Sequence, residues 1–395
     1  MKKNLKRIIT LALVVVFVFV LSACGAKKKD GKQTILWLSN LSGGINYEVG
    51  CDYLEALCDK LGYEFKVCTG DGFNGAAENL KIVKDNMDDS VVAIVASQDG
   101  GILDIMEEYP ELYVCGYNCS FDSVYSEDPA VAVNAAVLEN DHFLGAIADG
   151  YYDGKDIAKE YVDTIIKLGY KNVAFVTFPG FAYPALEVAN VEARKLIEEY
   201  NKTAAPDAKI NVLGEDPATV LMFSPLEESW FIDNAGCNKL DCIVATCAGL
   251  QFVYPTMTVA KANGTCAPET HMITGGFDND PDIIANVGTN KTITHITFAP
   301  AEDPLYAMVL IDDALKGALP SDFENIRIAS APYTIETDED INNVMTKAMA
   351  GTGDVTLAQV TPDEVAAMCG KSTHKELIDF MHSEQLSVAW LAKNR

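Results

Sequence analysis

Positive charge is scarce in this 395-residue chain: Lys and Arg total 30 against 57 Asp and Glu, for a formal net charge of −27. So acidic a surface repels phosphate backbones and anionic lipid heads, which excludes nucleic-acid binding and leaves membrane attachment to something other than charge. The signatures of common enzymes are missing as well. There is no Gly-x-Ser-x-Gly elbow, no Gly-x-x-x-x-Gly-Lys phosphate loop and no His-Glu-x-x-His pair. The histidines His142, His271, His295, His374 and His382 are scattered without ligand spacing, and the steps between Cys237, Cys242 and Cys247 match no zinc pattern. Asp278-Asn279-Asp280-Pro281-Asp282 lacks the glycine and the closing glutamate of a calcium loop. No metal, no cofactor and no catalytic residue is expected. Abundant carboxylates in so acidic a chain carry no weight by themselves.

What is present begins with a leader. Lys2, Lys3, Lys6 and Arg7 precede an apolar run from Ile8 to Leu21, too short for a comfortable membrane span. Leu21-Ser22-Ala23-Cys24 then resembles the lipobox of bacterial lipoproteins, which implies cleavage before Cys24 and acylation of that cysteine. The alternative is an uncleaved anchor. On the first reading residues 1–23 are a signal peptide, residues 24–33 are a lysine-rich lipidated tether, and the protein sits on the extracytoplasmic face of a bacterial membrane. The leader holds four basic and no acidic residues, so the chain from Cys24 carries about −31. Its length exceeds what one hydrophobic core usually serves, and two lobes are expected.

Ten cysteines follow Cys24, many for an exported protein. Most stand in apolar runs such as Phe65-Lys66-Val67-Cys68, where a free thiol acts as a small hydrophobe. That usage suits a reducing habitat. The rival is one or two disulfides, with Cys115 to Cys119 or Cys237 to Cys242 the nearest candidates.

Taken in order, the chain alternates strands and helices. Thr34 to Ser39, Tyr63 to Cys68, Val91 to Ala96 and Glu111 to Gly116 read as strands. Between them Val49, Tyr53, Leu57 and Leu61 recur at helical steps, as do apolar positions in Ala76 to Met87 and Ile102 to Tyr109. Ala130 to Val137 reads as a further strand, and His142 to Leu168 as a long helix. A second series follows: strands at Asn172 to Phe178, Lys209 to Gly214, Asp241 to Cys247, His271 to Gly276 and Thr292 to Phe298, helices at Ala185 to Tyr200, Phe252 to Asn263 and Pro304 to Lys316. Ile326 to Ile335 reads as a last strand, and Asp338 to Arg395 as a helical tail. This grammar predicts an α/β protein of two similar doubly wound, parallel-sheet lobes joined by a multi-strand hinge. The N-terminal lobe is expected to span 34–140 plus 299–325, and the C-terminal lobe 141–298 plus 326–395. The hinge crossings fall near Asn140, Phe298 and Asn325.

Asp59-Lys60-Leu61-Gly62-Tyr63, Val91 to Ser97 with Gln98-Asp99, Gly169-Tyr170-Lys171-Asn172-Val173-Ala174-Phe175-Val176 and Gly275-Gly276-Phe277-Asp278-Asn279 form an ordered set from Thr34 to Ile335. With the lipobox, that set resembles the type I periplasmic solute-binding proteins of ABC importers, the group of ribose and galactose receptors and nucleoside-binding basic membrane lipoproteins. Ser39-Asn40-Leu41-Ser42-Gly43-Gly44 departs from the acidic motif that the lipoprotein group carries after its first strand, while Val124 to Ala148 is more similar to that group than to ribose receptors. Sugar and nucleoside both stay open. The resemblance implies a non-enzymic, monomeric receptor that closes over a small polar solute and delivers it to a membrane permease. It also implies a ligand-binding role for Asp278.

Ligands of open α/β sheets bind beyond the carboxyl ends of the strands. Those ends supply Asn40, Gln98, Asp99, Asn118, Gln251, Asp278 and Asn279, whose amides and carboxylates suit hydroxyl groups, with Phe181 and Tyr183 as aromatic cover. Asp278 has a second reading as a helix cap before Pro281. The competing functions are a secreted α/β hydrolase and a receptor of the same fold that feeds a membrane signalling sensor.

Overall fold

The computed structural model describes residues 31–69, 75–148, 154–180, 183–215 and 218–395. Cys24 and Phe181 lie outside the described residues. The strands are β1 (Thr34–Ser39), β2 (Glu64–Thr69), β3 (Val91–Ala96), β4 (Tyr113–Tyr117), β5 (Phe143–Ala148), β6 (Asn172–Thr177), β7 (Asn211–Leu213), β8 (Thr219–Val220), β9 (Cys242–Ala245), β10 (His271–Gly275), β11 (Ile293–Phe298), β12 (Arg327–Ala329) and β13 (Tyr333–Ile335). The longer helices are α1 (Ile45–Leu61), α2 (Ala76–Asn86), α3 (Ile102–Glu108), α4 (Gly154–Leu168), α5 (Pro184–Thr203), α6 (Tyr254–Asn263), α7 (Pro304–Leu315), α8 (Asp338–Lys347), α9 (Pro362–Met368), α10 (His374–Met381) and α11 (Val388–Asn394).

Two sheets result. One runs β12-β5-β4-β3-β1-β2 and the other β13-β11-β10-β9-β6-β7, with β8 paired to β6. Each therefore carries the doubly wound order 2-1-3-4-5 with one further strand at its edge. All described pairings are parallel except β13 against β11. Parallel strands covered on both faces become uniformly apolar, and all six residues of β1, β5 and β11 are buried.

Local chemistry explains the joints. α1 buries Val49, Tyr53, Leu54, Leu57 and Cys58 on one stripe and ends at Gly62, whose φ of 92° lets its own N–H and that of Tyr63 both bond Cys58 O. Within α1, Gly50 is the close-approach position: a Cβ there would stand 3.0 Å from the Trp37 ring. Trp37 is core, its indole N–H donating to Ser97 Oγ at 2.9 Å.

Three segments differ from the sequence reading. Residues 130–137 form turns leading into a 3-10 turn, Ala135–Glu139, and not a strand. The expected long helix begins only at Gly154, because Phe143-Leu144-Gly145-Ala146-Ile147-Ala148 is β5. A short, wholly apolar run has no period that separates strand from helix, and pairing with β4 and β12 decides it. Ile326 to Ile335 splits at Ser330-Ala331-Pro332 into β12 and β13, which belong to different sheets. Pro332, which has no N–H to give a ladder, stands between them immediately before β13. The chain thus leaves the first sheet after Ala148 rather than near Asn140, returns through Ala299–Asp303, and crosses again at 330–332 rather than near Asn325.

The tail packs against both lobes rather than belonging to the second alone. α8 and α11 pack on β13, while α9 packs on α1 and α7. Asp312, Asp313 and Cys369 converge within 4.8 Å where the tail meets α7. Tyr63 Oη donates to Asp312 at 2.9 Å, Lys316 Nζ lies 2.6 Å from the same carboxylate, and the Gly370 N–H donates to Asp313 at 2.5 Å. These groups fasten the tail to the first lobe.

Candidate ligand cleft between the lobes

The carboxyl ends of the two sheets face each other across a cavity of 180 Å³. That is below the roughly 300–1,000 Å³ of pockets for drug-sized molecules, as suits a small solute. From the first lobe come Asn40 and Leu41 after β1, Asn46 and Val49 from the start of α1, and Tyr117 and Asn118 at the end of β4. The second lobe supplies Tyr183, Cys247, Gly276, Phe277 and Phe298, and the crossing segment Ala299, Pro300 and Ala301. Ala350 of the tail completes the wall.

No ionisable carboxylate or cation stands among these described lining residues. Their polar side-chain groups are three asparagine amides, two phenols and the Cys247 thiol. Asn118 holds a left-handed φ of 53°, which asparagine tolerates, and its N–H is tied to Ile147 O at 3.0 Å. The side-chain oxygen of Asn40 is buried and has no hydrogen-bond partner in the protein. An orphan acceptor of that kind costs roughly 1–3 kcal/mol until a donor meets it. Asn46 Nδ2 donates to Phe277 O at 3.4 Å, a direct tie between the lobes. Phe277 and Phe298 stack at 4.7 Å between centroids with planes 20° apart, giving the second-lobe side an apolar face.

Charge lies just beneath. Glu302 and Asp303, in the crossing below Ala301, are 0% and 2% exposed. Burial pushes the Glu302 carboxyl up to about 7 against the opposing backbone hydrogen bond from Gln359. Burial also raises the Tyr117 phenol, helped by the nearby Asp303 carboxylate, so Tyr117 meets a ligand as a neutral donor.

Among the residues singled out from sequence, Asn40, Asn118 and Tyr183 meet on the cavity wall. Gln98 stands behind it, buried, with Nε2 donating to Ser39 O at 3.1 Å. Asp99 accepts the Ser123 N–H at 2.9 Å and so positions the loop before the 3-10 turn. Asp278 accepts the Asp280 N–H and Gln251 Nε2, each at 2.9 Å, which engages both carboxylate oxygens locally. Gln251, Asp278 and Asn279 do not line the cavity. Asp280, two residues on, is the cap of the turn at Pro281. Asn46, Phe277, Phe298 and Ala350 are lining residues that the strand-end rule misses. For Asn46 a signal exists: it sits in the first helical turn after the β1 loop, where phosphate and sugar sites of α/β proteins often draw donors.

No protein-family model matches this sequence, and no curated protein matches it. Solved structures do. The chain superposes on an ABC transporter solute-binding protein from Bacillus halodurans with bound myo-inositol at TM-score 0.53 and 15% identity, covering 80% of this chain and 98% of that one. The arabinose-transporter binding protein from Shewanella sp. ANA-3, bound to L-arabinofuranose, gives 0.54 and 15%, over 78% and 93%. A glucose-galactose binding protein from Geobacillus stearothermophilus gives 0.51 and 12%, over 78% and 98%. The two-sheet architecture built above is therefore the type I periplasmic-binding-protein fold.

Proposed function

We propose that this protein is a non-enzymic, extracytoplasmic receptor that captures one small uncharged solute rich in hydroxyl groups, a sugar or a nucleoside, and presents it to an ABC permease. The observation that carries this reading is the uncharged cavity at the converging strand ends, where Asn40 offers a buried, unengaged acceptor beside Asn46 and Asn118. Amides donate and accept at once, which matches vicinal hydroxyls, and the Phe277 ring offers an apolar face to the carbon side of a sugar or a base. The sugars named for the proteins of similar fold support the same class. Contacts from both lobes coexist only when the cleft is shut, so ligand favours the closed form by its differential affinity.

The receptor is held to the membrane by lipid on Cys24. Among the described residues no helix is long and apolar enough to cross a membrane. Cys24→Ala should move the protein from the membrane to the soluble fraction, and retention would remove the acylation reading. Adjacent permease and ATPase genes, as opposed to a sensor kinase, would separate import from signalling.

A thermal-shift screen against sugars, nucleosides and amino acids tests the ligand class, because a ligand that binds only the folded state raises stability by mass action. Asn118→Ala should weaken the hit about tenfold or more. A hit that Asn118→Ala binds unchanged would place the solute elsewhere.

A further inference from the structure

The cavity has a wall that neither βα series provides. After β13 the chain runs through α8 and turns at Ala348, and the single helical turn Met349–Thr352 lies against both α8 and α1. Ala348 and Met349 are fully buried, and Ala350 is 8% exposed on the cavity side, where Asn46 and Val49 of α1 also line it. Gly351 makes the close approach obligatory: a Cβ there would fall 2.4 Å from Val344 O and 2.7 Å from Met345 Cα. Thr352 Oγ1 donates to Ala348 O at 3.0 Å, and Gly353 leaves the turn with a φ of 72°. Downstream, Tyr53 Oη donates to Val360 O at 2.7 Å and the Gln359 N–H donates to Glu302 at 2.7 Å, which fastens the returning chain to α1 and to the interlobe crossing.

We propose that the C-terminal tail is part of the binding site, and that the methyl of Ala350 is its size gauge, admitting one ring and blocking a second linked unit on that side. The proposal rests on the reading that solute occupies the interlobe cavity. A side chain at 350 cannot retreat, because Gly351 and Met349 lock the backbone behind it. Added carbon atoms must therefore enter a space of 180 Å³.

The test is a calorimetric titration of the detergent-solubilised full chain and of Ala350→Ser, Ala350→Val, Ala350→Leu and Asn118→Ala with D-galactose, L-arabinose, myo-inositol, adenosine and lactose. Wild type should take at least one single-ring probe and reject both adenosine and lactose, each of which carries a second linked unit. Affinity for that probe should fall in order of side-chain volume, by about tenfold or more at Ala350→Leu, while the melting temperature without ligand stays level across the series. Unchanged affinity in Ala350→Leu with loss in Asn118→Ala would overturn the gauge and leave the cleft reading intact. Unchanged affinity in both, or no binding of any probe to wild type, would overturn both. Affinities that track the melting temperatures of the unliganded variants would show ordinary packing and overturn the gauge; should Ala350→Leu not fold, Ala350→Val decides by the same criterion.

Discussion

The backbone N–H of Gln359 donates to the Glu302 carboxylate at 2.7 Å, joining the C-terminal tail to the segment on which the chain returns to its first lobe. The carboxylate at that joint is wholly buried. Tyr53, Tyr333 and Asp303 face it from α1, β13 and the crossing itself, and Arg395 is the nearby cation.

Burial raises the Glu302 carboxyl from 4.5 to about 7. Between those values the folded protein holds a proton that the unfolded chain has released. Stability supplied by this group is therefore full below pH 4.5, declines as pH rises, and reaches its low plateau above pH 7, a change on the order of a few kcal/mol. Glu302→Gln keeps an acceptor for the Gln359 N–H and removes the titration. Its stability relative to wild type, from urea unfolding at pH 4 to 8, should climb through that window and then flatten. A difference independent of pH would show that the carboxyl does not titrate there.

His295 lies on the opposite side of the molecule's acid–base ledger. Its ring is 2% exposed, with Nε2 3.0 Å from Glu160 and Nδ1 3.3 Å from Glu336. Burial alone would lower the imidazole, and hydrogen bonds to the two carboxylates overcome it, so the net shift is upward from 6.5. Hydrogen bonding to His295 and Lys167 holds Glu336 down at about 2. The cluster's contribution is thus present below pH 6.5, fades as pH passes the raised imidazole value, and fades again at the acid end as pH falls from 4.5 toward 2. His295→Gln should cost about 1–2 kcal/mol near pH 6, since it removes charge-assisted hydrogen bonds from two partly exposed carboxylates, and distinctly less at pH 9. Equal losses at both pH values would assign His295 a packing role alone.

How much of this was legible in the sequence depended on whether the signal was local. β1 and β3 stand out as apolar runs bounded by turn residues, and Gly62 marks the end of α1. β5 does not, because Phe-Leu-Gly-Ala-Ile-Ala suits either element until β4 and β12 flank it. The strand-end rule reaches Asn40 and Asn118 on the cavity wall but also selects Asp278, whose oxygens serve the turn that follows it. Ala350 has no local mark at all. Its place on the cavity wall comes from a tail that folds back over α1, a relation between distant segments.

Asp278 gives the corresponding experiment. With one oxygen on the Asp280 N–H and the other on Gln251, Asp278→Ala removes two hydrogen bonds from an exposed turn and should lower the stability of the unliganded protein by about 1–2 kcal/mol. Affinity for the solute should fall less than in Asn118→Ala. Abolished binding with unchanged unliganded stability would return Asp278 to the site.

The ten cysteines after Cys24 are all in the reduced form, Cys115, Cys119, Cys237 and Cys242 among them. Burial pushes Cys58, Cys68 and Cys369 up to about 12 and Cys237 to about 11, so almost none of these is thiolate at neutral pH, and the thiolate is the reactive form. In the native protein iodoacetamide at pH 8 should reach the half-buried Cys51, Cys119 and Cys247 first, with the strongly raised Cys369 and the buried thiols following only on unfolding. In urea without reductant all ten should be alkylated, read by peptide mass spectrometry. Protection of Cys115 with Cys119, or of Cys237 with Cys242, that only a reductant relieves would establish a disulfide and overturn the reading of these residues as small hydrophobes in two sheet cores.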